Sequence, residues 1–159
     1  MKYILSFTLI WLSLVASAQK ETPTSGGNAS QIYVEIGGPG IFYSINYDGR
    51  FGKTEKGLGF RAGAGILASG GESFTTFPLG LNYLIGSEGK YFEVGAGASF
   101  LNYNSSFDWF DGGASTGYLQ LGYRNQPTKQ GFTWRANFTP LFGSGYFVPF
   151  ASVSLGYKF

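Results

Sequence analysis

The chain has 159 residues, of which 26 are glycine, 19% aromatic and only 13% charged; its net charge is +2, and it has no cysteine and no histidine. Soluble domains carry about 25% charged residues, so part of this surface is expected to face something other than water. The lack of cysteine excludes a disulfide-stapled fold, and the lack of any basic cluster excludes nucleic-acid binding.

Met1-Lys2 places one positive charge ahead of an apolar run, Tyr3 to Val15, that ends in Ala16-Ser17-Ala18. Small residues at both positions that a signal peptidase pocket must accept predict a signal peptide over residues 1–18, cleaved before Gln19. A membrane anchor would need about 20 apolar residues, and without a cysteine there is no lipoprotein anchor. Residues 19–30 are polar and rich in Ser, Thr, Gly and Asn, which predicts a disordered leader; residues 31–159 form one domain.

From residue 31 onward the chain alternates. Ile32, Val34 and Ile36 alternate with Tyr33, Glu35 and Gly37; Ile41, Tyr43, Ile45, Tyr47 and Phe51 oppose Ser44, Asn46, Asp48 and Arg50. The alternation slips across Gly37-Gly38-Pro39-Gly40, which is either a hairpin turn or a bulge in one long first strand. Leu58 to Ile66, Phe77 to Ile85, Phe92 to Phe100, Leu119 to Tyr123, Phe132 to Phe142 and Phe147 to Phe159 repeat the period of two expected of strands. Single-chain bacterial barrels have even strand numbers, which favours the hairpin and an eight-stranded, all-β, antiparallel up-and-down transmembrane barrel.

The connections fall into two alternating classes. Residues 52–56, 86–90 and 125–130 are predicted on the periplasmic side, and 68–73, 102–114 and 143–145 on the outside. FRAGAG at Phe60 to Gly65 and FEVGAG at Phe92 to Gly97 read as a shared hairpin design.

Alternation alone does not say which face is inside. Glu35, Asp48, Arg50, Arg61, Glu93, Arg124, Arg135 and Lys158 all share the polar face, and no strand is expected to carry a charge on its apolar face. An Arg or Lys facing lipid costs about 2–4 kcal/mol at the midplane. The polar face is also crowded with glycines (Gly59, Gly63, Gly65, Gly80, Gly95, Gly97), as a narrow lumen requires. Aromatics mark both ends of the apolar face, with Phe51, Phe92, Tyr123, Phe132, Tyr157 and Phe159 at one end and Tyr43, Phe77, Phe100, Phe142 and Phe147 at the other. They resemble the two girdles of a membrane barrel.

The last strand, with Val153, Leu155, Tyr157 and the terminal Phe159, resembles the signal by which the barrel-assembly machinery recognises outer-membrane proteins. The run IYVEIGGPGIFYSINYDGRF and the chain after it resemble the small outer-membrane β-barrel proteins of the Bacteroidota. That resemblance implies a fold, a location in the cell outer membrane and lipid as a partner, more than an activity.

An eight-stranded lumen is just wide enough for side chains to fill it, so the eight buried charges are expected to form an ion-pair network, not a general diffusion pore. Gly113-Ala114-Ser115-Thr116-Gly117 matches GxSxG, but that motif needs a strand-to-helix elbow and a histidine. No catalytic residue, metal site or cofactor is assigned. Asp108 and Asp111, beside Phe107, Trp109 and Phe110, lack the spaced ligand series of a calcium loop. As the tip of the longest outer loop, these five residues are candidates for binding an extracellular partner. The competing reading is a secreted, soluble, lipocalin-like barrel with its apolar face inside around a small apolar ligand.

Overall fold

The computed structural model describes residues 29–69, 72–104 and 114–159. The signal peptide, most of the leader and the loop candidates Phe107, Asp108, Trp109, Phe110 and Asp111 lie outside these residues.

Ten strand segments follow in chain order: β1 Gln31–Gly37, β2 Tyr43–Arg50, β3 Gly57–Ser69, β4 Glu72–Ser87, β5 Lys90–Asn104, β6 Ala114–Asn125, β7 Gly131–Phe138, β8 Leu141–Gly143, β9 Tyr146–Val148 and β10 Ala151–Lys158. All pairings are antiparallel and join staves adjacent in sequence, and β1 pairs with β10 (Val34 opposite Leu155), which closes the ring. The ten segments make eight staves of an up-and-down barrel. β7 and β8 are one stave, since the register of β6 with β7 (Leu121 opposite Phe138) continues into β6 with β8 (Gly117 opposite Phe142). β9 and β10 likewise share one register against the seventh stave.

The sequence reading runs staves seven and eight unbroken through Pro140 and Pro149. The structure interrupts both there, because proline has no N–H to give the ladder. The Thr139 amide still donates to the Phe150 carbonyl (2.7 Å) and the Leu119 amide to the Pro140 carbonyl (3.2 Å), so the register survives. Pro78 has a smaller effect, a gap in the β3–β4 ladder between the pairs Ala62–Leu79 and Gly65–Thr76.

The slip at residues 37–40 is a hairpin: β1 and β2 pair from Gln31–Asp48 to Ile36–Tyr43. Its turn is a short 3₁₀ segment, Gly38–Gly40, that is buried. Positive φ angles at Gly37 (79°) and Gly38 (67°) swing the chain inward, a conformation open to glycine at no steric cost. The Pro39 carbonyl accepts from the Ser99 hydroxyl (2.8 Å) and the Gly40 carbonyl from Thr76 (3.2 Å). The first hairpin therefore ends inside the barrel, which explains why β1, at 7 residues, is short beside the 16 of β4 and the 15 of β5. At the opposite end, β4 and β5 join through Glu88 (φ 54°) and Gly89 (φ 82°), the two positive φ angles of a tight I′ hairpin.

Burial follows the alternation in an inverted sense. Ile32, Val34, Ile45, Leu79, Leu81, Phe92, Leu119, Val153 and Leu155 are exposed outside, while the buried side chains of the interior are overwhelmingly polar. The outward aromatics of the end that holds Phe159 touch one another: Phe51–Phe60 (5.5 Å between centroids), Tyr47–Phe60 (5.8 Å), Tyr47–Phe159 (6.4 Å), Phe132–Tyr157 (5.9 Å) and Tyr123–Trp134 (5.2 Å). One charge departs from the expected pattern. Lys90, the first residue of β5, is exposed with outward parity at the rim, where a lysine can extend its ammonium into water.

Candidate functional site: the barrel lumen

Two residues of the leader belong to the barrel mouth. Ala29 and Ser30 are buried, contrary to the disordered assignment, because the Ser30 carbonyl accepts from the Phe159 amide (3.1 Å) and its hydroxyl from Tyr47 (2.9 Å).

Above the mouth the structure brings seven of the eight sequence-predicted charges into one interior, and the eighth, Lys158, sits at the mouth. Asp48 on β2 is the hub. Its Oδ1 accepts from Arg50 Nη2 (2.8 Å) and Arg124 Nη1 (3.0 Å), and its Oδ2 from Arg124 Nη2 (2.9 Å) and Asn82 Nδ2 (2.6 Å). Arg124 on β6 reaches Asp48 across the barrel and also grips Glu93 on the neighbouring strand through Nε (2.9 Å) and Nη2. Planar guanidinium forks suit such paired carboxylates. Arg50 adds bonds to Asn82 and to the Gly57 carbonyl (3.0 Å).

A second cluster sits one layer further from the mouth. Arg61 donates to Glu35 (2.6 Å), Asn46 (2.8 Å) and Gln120 (3.0 Å), with its guanidinium 5.5 Å from the centre of the Tyr33 ring and 5.9 Å from that of Tyr118. Arg135 also lies over the Tyr33 ring, 3.7 Å from its centre. All of these charged side chains are excluded from solvent.

The mouth itself is closed. Lys158 pairs with Glu55, which the loop between β2 and β3 folds back over the opening, and donates to the Pro127 carbonyl (2.9 Å) of the turn before β7. Gln31 links Gln126 (3.0 Å) to Thr133 (2.9 Å) beneath, and Tyr91 donates to Glu55 (3.1 Å). The far half holds the buried Gly38–Gly40 turn.

Glu55, Gln31, Asn46, Asn82, Gln120, Gln126, Tyr33 and Tyr118 complete the site beyond the predicted residues. All but Glu55 and Gln126, which the sequence places in connections, were within reach of strand parity, because they alternate in step with the charges. Selecting for charge passed over neutral polar groups, and selecting for hydrophobicity hid Tyr118, whose ring fills space left by Gly80 and Gly97. Ser115 lies within β6 and not at a strand-to-helix elbow.

The geometry overturns the lipocalin-like alternative. That reading needs Arg61, Glu93 and Arg135 in water and an apolar interior, whereas these side chains are buried and the large apolar residues face outward. Among the described residues the buried side chains of the interior are chiefly polar and charged.

No protein-family model matches the chain, and no curated protein is significantly similar to it. Among solved structures, the N-terminal β-barrel domain of Pseudomonas aeruginosa OprF matches with a TM-score of 0.63 and 16% identity, covering 85% of this chain and all of that one. The backbone structure of the Yersinia pestis outer-membrane protein Ail in a phospholipid bilayer nanodisc matches with a TM-score of 0.52 and 13% identity, over 84% of this chain and all of that one. The likeness is one of fold.

Proposed function

We propose that this chain is exported through a cleaved signal peptide and resides in the cell outer membrane, with a surface role carried by its outer loops. The observation that carries this reading is the inverted polarity. A barrel with Ile, Leu, Val and Phe exposed outside and Arg, Glu and Asp fully buried inside is matched to a hydrocarbon surround and mismatched to water. The fold it shares with an outer-membrane protein solved in a bilayer nanodisc supports the same reading.

The lumen is packed by ion pairs and closed at the mouth by Lys158 and Glu55, so the protein is not a general porin, and no catalytic group is assigned to it. The aromatic strand end Val153, Leu155, Tyr157 and Phe159, all exposed, is the recognition signal for the barrel-assembly machinery. The outer-loop residues Phe107, Asp108, Trp109, Phe110 and Asp111 are the candidate contact surface for an extracellular partner. The small outer-membrane barrels of the Bacteroidota are the group it resembles.

The test is gel mobility of the mature chain refolded in detergent, with and without boiling. A compact band that shifts only on boiling is expected. A protein that stays monomeric and folded in buffer without detergent would sink the proposal.

A further inference from the structure

Charge in the lumen does not balance. Among the described residues, the guanidiniums of Arg50, Arg61, Arg124 and Arg135 are buried with the carboxylates of Glu35, Asp48 and Glu93, and Lys158 at the mouth is matched by Glu55. One positive charge is left over. Arginine does not deprotonate in proteins, so titration cannot remove it.

The excess is localised. Arg124 engages both oxygens of Asp48 and of Glu93, and Arg50 and Asn82 add to Asp48. Arg135 reaches the same two carboxylates only at 3.6 Å, beyond hydrogen-bond length. Its Nε, Nη1 and Nη2 are buried and have no hydrogen-bond partner. The Tyr33 ring at 3.7 Å attracts the cation but accepts none of these N–H groups in its plane. A buried charged donor left without acceptors is costly, and such groups in native proteins generally find a partner.

The surrounding wall is built of further unpartnered polar groups. Ser154 is paired in register with Arg135, and Ser152 with Asn137 in the next row. The hydroxyls of Ser152, Ser154 and Tyr33 and both amide atoms of Asn137 are buried without partners. Two unpartnered acceptors are present as well, Glu35 Oε1 and Asn137 Oδ1. Ser154 lies in register between Glu35 and Arg135, and its hydroxyl reaches neither of them within hydrogen-bond distance. Among these unpartnered groups the guanidinium of Arg135 and Asn137 Nδ2 can only donate, and Tyr33 Oη can donate beside them.

We propose that this wall of the lumen, formed by β1, β10 and β7, binds one small monovalent anion of halide size, held by Arg135, Asn137 and Tyr33. A single negative charge makes the lumen neutral. A doubly charged oxyanion would overshoot, and would press against Asp48 and Glu93.

The test uses bromide as the probe. The mature chain is refolded in detergent, and its unfolding temperature is followed while sodium bromide replaces sodium gluconate, an anion too bulky for the lumen, at constant ionic strength. Wild type is expected to gain stability as bromide rises, in the way of a ligand that binds only the folded state. Asn137→Asp supplies a fixed carboxylate in place of the ion. It is expected to raise the unfolding temperature in gluconate and to weaken the apparent bromide affinity by roughly tenfold or more. Arg135→Gln removes the excess charge and is expected to abolish the dependence; if it fails to refold, Asn137→Asp decides alone. A wild-type unfolding temperature that is the same in both salts, or a bromide dependence that survives in Asn137→Asp, overturns the site.

Discussion

Asp48→Ala is the substitution to which the barrel is expected to be most sensitive. Breaking a buried pair by removing one partner costs about 3–5 kcal/mol, since the other charge stays buried and uncompensated. Asp48 serves two arginines directly, Arg50 at 2.8 Å and Arg124 at 2.9 Å, with Arg135 at 3.6 Å. The upper end of that range, about 5 kcal/mol, is therefore expected, a large share of a folding stability of about 5–15 kcal/mol. Urea unfolding of the refolded barrel in detergent measures it. With a slope of about 1–3 kcal/mol per molar, the midpoint is expected to fall by roughly 2 M or more. Asp48→Asn keeps the size and one acceptor oxygen and loses less. Lys129→Ala, at an exposed turn position, is the control, expected within about 0.5 kcal/mol of wild type. An Asp48→Ala barrel within about 1 kcal/mol of wild type would refute the view that the lumen is held by this network.

Arg61→Ala and Glu93→Ala are expected to cost about 3–5 kcal/mol each by the same assay, because each leaves a buried opposite charge behind. Gly80→Ala would drive its Cβ into the Tyr118 hydroxyl and to 2.8 Å from the Ala96 carbonyl. A loss of about 1–3 kcal/mol, partly restored by adding Tyr118→Leu, is the outcome that fits; an unrestored loss would put the strain in the backbone instead. Leu79→Arg, near the middle of β4 on the exposed outer face, is expected to cost about 2–4 kcal/mol in a lipid bilayer, and a cost near zero there would contradict lipid contact. Phe159→Ala is expected to lower the amount of barrel recovered from outer membranes while leaving urea unfolding of the refolded protein within about 1 kcal/mol of wild type; an equal fall in both would make Phe159 a packing residue and not an assembly signal.

Much of this architecture was legible because a barrel wall writes two environments at a period of two. Parity alone placed Glu35, Asp48, Arg61, Glu93, Arg124 and Arg135 on one side of the wall, and that side is the buried one. Three features were not legible, each for a physical reason. The turn Gly38–Gly40 reads as a turn in any context, but its inward path depends on the room left by Ser44, Gly65, Thr76 and Ser99 on other strands. Glu55 lies in a connection, where alternation says nothing about direction, and only the closed barrel brings it to Lys158. The breaks at Pro140 and Pro149 were hidden because proline counts as apolar in the pattern, although it cannot act as a ladder donor.

The interior also argues where the function of such a protein has to reside. From one end, Glu55, Lys158, Gln31 and Gln126 bridge the mouth; behind them the Asp48 and Arg61 clusters join all of β1 to β6 through side chains. From the other end, the first hairpin turns into the barrel and is hydrogen-bonded to β4 and β5. Passage of a solute of nutrient size would require breaking several buried charge pairs together, at about 3–5 kcal/mol for each one left uncompensated, without any compensating contact from a neutral solute. A wall so cross-braced serves as a rigid support. The connections at the end away from Phe159 remain, where strands β4 and β5 extend further than β1 and β2. On the proposed reading an extracellular partner would meet that side of the rim first, and mutagenesis aimed at the surface role should begin there.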